Sequence, residues 1–221
     1  MSRRKLAMVC SASLVGFTTL ALADRPAVLV EYLQPQVVGI PGYLSVDFQY
    51  QGWTWLNLPE LIRSSQLVVD RKPYAFSGRL PDMPERVWVL GSWRGCLSVE
   101  DYVTDLAPGP HRISLKMARS ETEDLPIQWQ PHKAHQAVGI DQREKQVKAI
   151  VAVLEPGLPR QCVEKWFPEK DGGLVGLTTT RYYVEPGIKV EVPYELRGAK
   201  NSDRDVINGP IRVYRESRVT D

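Results

Sequence analysis

The sequence lacks the short motifs by which familiar enzymes are recognised. It has no HExxH, no CxxC, no G-x-S-x-G, no P-loop, no dinucleotide-binding glycine fingerprint and no EF-hand loop. Phosphoryl transfer, nicotinamide chemistry and zincin-type hydrolysis through those motifs are unsupported, which leaves catalysis only to residues assembled from distant parts of the chain. Histidine and cysteine are both scarce, at three each in 221 residues. No excess of one charge is present either: 28 basic residues face 26 acidic ones, so bulk electrostatics draws this chain neither to nucleic acid nor to an anionic membrane.

What the N-terminus does have is the order of a cleavable export signal. Ser2-Arg3-Arg4-Lys5 is followed by seventeen uncharged residues, Leu6 to Leu22, and by Ala21-Leu22-Ala23 ahead of Asp24. As a membrane anchor the run is at the short limit, and Ser11, Ser13, Gly16, Thr18 and Thr19 dilute it. The paired arginines partly resemble a twin-arginine signal, but so short an n-region fits the general secretory route better. Val9 before Cys10 is too large for a lipidation site. The expected mature chain, 24–221, keeps 25 basic and 26 acidic residues, for a net charge of −1, with no membrane span. It also keeps two cysteines. Cys96 and Cys162 are an even pair bound for an oxidising compartment, periplasmic or secreted, and we expect them to be joined.

Alternating apolar and polar residues predict strands at Leu44–Tyr50, Ile113–Met117 and Ile188–Tyr194, each after a Pro-Gly turn. Further strands are expected at 27–33, 66–70, 86–90, 174–184 and 211–214. The phrase DYVTDLAPGPHRISLKM, Asp101 to Met117, resembles the strand-turn-strand ending of many exported immunoglobulin-like domains, in which a PG turn precedes an H-x-I-x-L strand. That resemblance implies a fold class and no function. The reading is a mainly β chain: an immunoglobulin-like β-sandwich or partly closed antiparallel barrel, with one or two short helices.

Asn57-Leu58-Pro59-Glu60 has the cap, the first-turn proline and the acid of a short helix ending near Ser64 or Ser65. Residues 143–154 fit both periods. Asp141 and Glu144 repeat the capping pattern and tip the reading to helix. The polar stretch 119–142 reads as a long loop between an N-terminal sandwich half, 24–118, and a C-terminal β-rich half, 143–221. A bond from Cys96 to Cys162 would tie the halves into one unit.

For function, the preferred expectation is a non-catalytic binding or accessory module for a protein partner or a glycan. Trp53 and Trp55 lie two apart, so in an extended segment both indoles share a face, while Trp93 and Trp129 sit in turn-like or polar settings. Exposed, such indoles would form a ligand platform; Trp88 and Trp166 are assigned to the core. The alternative is a copper or zinc site from His111, His132 and His135, with Glu121 or Asp124 completing it. The acidic clusters Glu100-Asp101 and 121–124 read as hydrated surface rather than as the facing carboxylates of a glycosidase.

Overall fold

A computed structural model describes residues 27–37, 39–50, 55–81, 83–87, 91–117, 120–131, 138–168, 178–197 and 205–215. The proposed signal, Trp53, Trp88, His132 and His135 lie outside the described residues.

The first half is a two-layer sandwich. One sheet runs β1 (Ala27–Leu33), β2 (Tyr43–Tyr50) and β7 (Gly91–Leu97), with β2 central. The facing sheet is ordered β10 (Leu125–Trp129), β8 (Gly109–Met117), β4 (Gln66–Val69) and β5 (Lys72–Ala75), with β9 (Ser120–Glu121) paired to β8. A two-stranded ribbon joins β3 (Leu56–Asn57) to β6 (Arg86–Val87). All these pairs are antiparallel, and the chain crosses between the layers of a β-sandwich; no closed barrel forms among the described residues.

The period-2 rule explains which side faces in. Leu44, Val46, Phe48 and Tyr50 of β2 are buried against Leu67, Val69, Ile113, Leu115 and Met117 of the other layer. Helix α1 (Leu58–Arg63) forms where the sequence places it: Asn57 Oδ1 accepts from the Glu60 amide at 3.1 Å, and Leu58, Leu61 and Ile62 bury its inner face. Tyr102, in the crossover to β8, hydrogen-bonds Ser65 in the core at 2.8 Å.

The expected loop at 119–142 is corrected in its first half. Leu125, Ile127 and Trp129 alternate, and β10 pairs with β8 along its whole length, completing the sandwich. The polar residues between those apolar ones hid the signal.

The second half builds its own core. Helices α2 (Ile140–Val151) and α3 (Arg160–Trp166) pack on a sheet of β11 (Thr179–Val184), β12 (Ile188–Glu195), β13 (Val206–Ile207) and β14 (Arg212–Arg215). Ile188, Val190, Val192 and Tyr194 are the buried face of β12, against Val147, Ile150, Cys162 and Val163. Helix wins over 140–151, but Gly139 is its N-cap; Asp141 lies in the first turn and pairs with Arg215 instead of capping. Helix α3 was not foreseen, because its seven residues are too few to show a period.

The two cores meet at β7 and α3. Cys96 and Cys162 form a disulfide with Cα atoms 5.2 Å apart. Beside it the Tyr43 and Trp166 rings meet edge-on at 4.8 Å, and the Trp166 indole N–H donates to the Pro41 carbonyl at 2.9 Å. Among the described residues no helix is long and apolar enough to cross a membrane.

Candidate functional site

Because Val46, Phe48, Trp93 and Gly95 turn inward, the alternate residues Asp47, Gln49, Ser92 and Arg94 turn outward from β2 and β7, paired as Asp47 with Arg94 and Gln49 with Ser92. They form one side of a cleft of about 640 Å³. Pro84, Arg86 and Val87 bound a second side; Gly157, Pro159, Arg197 and Val206 of the second half bound the third. That third wall is a short backbone ladder: Gly157 N–H donates to the Ile207 carbonyl, Ile207 N–H to that of Leu158, and Arg160 N–H to that of Asp205, at 2.8 to 2.9 Å. Gly157 has φ +87°, and a Cβ there would lie 3.8 Å from Arg94 Nη1, so this position favours glycine by backbone conformation.

Among the described residues three guanidiniums, of Arg86, Arg94 and Arg197, line the cleft with one carboxylate, Asp47. Arg94 donates from Nε to Ser45 Oγ at 3.3 Å, with Glu31 3.9 Å from its Nη2. Arg197 pairs with Glu195 at 3.3 Å in an exposed setting. Arg86 has no carboxylate within ion-pair distance among the described residues; its guanidinium carbon stands 5.5 Å from the centroid of the Trp55 ring. Guanidiniums stay charged at every accessible pH and present forked donors matched to carboxylates and sulfates. Such a set of guanidiniums is chemically suited to donate to an anion.

Of the expected indole platform, Trp55 is exposed at 45% and stands beside the cleft through Arg86. Trp93 and Trp129 are corrections. Trp93 is inside β7 and 6% exposed, and Trp129 is inside β10 and 2% exposed, its indole N–H donating to the Leu106 carbonyl at 3.1 Å. Both are sandwich core, because the segments that looked like turn and loop are strands. Trp166 is core as expected.

His111 is held near the start of β8. Its Nδ1 lies 2.7 Å from Asp70 Oδ2 and its Nε2 lies 2.8 Å from the Ala107 carbonyl oxygen. Both ring nitrogens are thus engaged by acceptors, and a metal would have to displace one of them. Among the described residues no group of three metal-ligating side chains is gathered. Glu121 accepts from Ser114 and pairs with Lys116, and Asp124 pairs with Arg112. Asp101 Oδ2 accepts from the Ser98 amide in the turn before Tyr102, and burial raises its pKa.

The arginines were missed by sequence reasoning, since positions 86, 94 and 197 share no local motif. The available signal was a polar outward register, Asp47, Gln49, Ser92 and Arg94, on strands whose other face is wholly apolar. Comparison with protein-family models, with curated proteins and with solved structures finds no match to this chain.

Proposed function

We propose that this chain is an exported, non-catalytic binding or accessory module that takes a glycan or a protein partner at the arginine cleft and the Trp55 surface beside it. The observation that carries this reading is the half-exposed Trp55 indole stacked with Arg86, which itself lines the cleft. An exposed aromatic still has desolvation energy to give to a ligand, which a core aromatic does not. The cleft's ionisable lining supports binding over catalysis: three fixed cations and one carboxylate supply no acid-base pair, and glycoside hydrolysis needs two facing carboxyls. The signal-like N-terminus supports export, and the Cys96–Cys162 disulfide fits an oxidising compartment.

The test pairs a glycan array with pull-downs from the host's extracytoplasmic fraction, using wild type, Trp55→Ala and Arg86→Gln. A ligand whose binding falls by more than about 1 kcal/mol in both variants, at unchanged denaturation midpoint, supports the reading. Ligands indifferent to both variants, or a wild type that retains nothing, overturn it.

A further inference from the structure

The chemistry of the cleft goes one step past the binding reading, on which this inference rests: we infer that its ligand is an acidic sugar, a uronate-bearing oligosaccharide. The argument comes from what the lining needs. Arg86 has no acid within ion-pair distance among the described residues, while Arg94 and Arg197 hold the exposed Glu31 at 3.9 Å and Glu195 at 3.3 Å, which an anionic ligand would displace. Asp47, Gln49 and Ser92 point into the same space, and their side chains make no hydrogen bond or ion pair among the described residues. Asp47 requires donors. A ligand made only of carboxylates would satisfy the guanidiniums and be repelled by Asp47, whereas a sugar acid presents carboxylates and hydroxyl donors on one rigid ring.

Size and shape agree. The cleft's 640 Å³ lies within the range of small-ligand sites, enough for a few rings rather than a folded domain. Trp55 beyond Arg86 offers an aromatic surface to the apolar face of the next ring, and Arg86 then touches both the indole and the acid group. The apolar part of the walls is Pro84, Val87, Pro159, Val206 and Trp93, of which Trp93 and Val87 are already buried in the fold, so large hydrophobic peptide anchors have little free surface to fill.

Calorimetric titration of the full chain with tetragalacturonate, its methyl-esterified neutral form and hexaglutamate tests this. We expect the tetragalacturonate to bind at least tenfold more tightly than either comparison probe. Arg86→Gln and Arg94→Gln should each weaken it about tenfold, and Lys116→Gln, on another surface, should not. Arg86 is exposed, so its variant reads the site even where Arg94→Gln perturbs folding. Equal binding of the ester overturns the role of the charge. Equal, arginine-dependent binding of hexaglutamate overturns the sugar in favour of an acidic peptide. No binding by any probe also overturns the inference; the binding-module reading then stands or falls separately, on whether array or pull-down ligands still depend on Trp55.

Discussion

Of two concavities formed by the described residues, the larger is the less suited to a ligand. A groove of about 970 Å³ runs over the outer face of the β8–β4–β5 layer, lined by Asp70, Arg71, Arg112, Ser114, Lys116, Glu121 and Asp124; the arginine cleft is about 640 Å³. In the groove the charges answer one another: Arg112 to Asp124 at 3.5 Å, Lys116 to Glu121 at 3.2 Å, His111 to Asp70 at 2.7 Å. In the cleft Arg94 and Arg197 also have acids, Glu31 at 3.9 Å and Glu195 at 3.3 Å, but Arg86 has none within ion-pair distance among the described residues. Volume therefore does not choose between them. Unanswered charge does, because an exposed pair that already neutralises itself gains little by exchanging one partner for another.

The cleft's walls are also load-carrying parts of the fold, whereas the groove is the outside of a finished sheet, and mutation should separate the two sharply. The largest effect is expected at Trp93, a cleft-lining residue whose ring packs in the sandwich core: Trp93→Ala should destabilise by roughly 3 to 5 kcal/mol in chemical denaturation. Next comes the third wall. Arg160 and Asp205 form a buried pair at 3.1 Å, with the guanidinium 4.3 Å from the Tyr194 ring centroid. Asp205→Ala strands a buried cation and should cost about 3 kcal/mol or more, while the joint apolar replacement Arg160→Met with Asp205→Leu should cost clearly less. Equal losses from single and double variants would show that the pair itself, not the stranded charge, holds the wall. Removing the disulfide as Cys96→Ala with Cys162→Ala frees a 66-residue separation and should cost about 2 to 4 kcal/mol, less where the denatured chain keeps structure. By contrast, Lys116→Gln and Glu121→Gln in the groove should each move stability by about 0.5 kcal/mol or less.

How much of this was legible follows from whether the cause is local. The strands at 44–50 and 188–194 could be read because each buries one face, and burial prints a period of two on the sequence. The α1 cap could be read because Asn57, Pro59 and Glu60 act within one turn. Trp93 and Trp129 were misread for the same reason in reverse: Gly91, Ser92 and Gly95 look like a turn locally, yet Gly95 is a glycine because the Trp93 ring lies over it, 2.1 Å from where a Cβ would stand. Only the tertiary packing shows that. The cleft was illegible because its arginines come from β6, β7 and the segment just after β12, brought together by the contact between two cores that no sequence window spans.

The smallest expected effect sharpens the comparison from the groove's side, at His111. Burial alone would lower its pKa, but the hydrogen bonds to Asp70 and the Ala107 carbonyl, with the charge of Asp70, outweigh it and raise the pKa. The Arg112 amide and His111 in turn lower the pKa of Asp70, whose carboxylate accepts from both. This cluster pins an unusual turn, since Asp70 and Arg71 join β4 to β5 at φ +48° and +72° without a glycine. A raised imidazole contributes stability in full below about pH 6.5, its ordinary value, and loses it as pH rises through the folded value; a lowered carboxylate contributes above about pH 3.9 and loses it as pH falls. The contribution should therefore be greatest between those limits. Wild type should exceed Asp70→Asn in denaturation midpoint most clearly near pH 5 to 6, with the difference shrinking toward pH 8, and NMR titration should place the His111 midpoint above 6.5 in wild type and lower in the variant. Acidic-sugar binding, resting on the cleft's arginines and not on His111, should hold steady over the same interval. A ligand affinity that followed the His111 titration would couple the groove to the cleft and break the distinction between them.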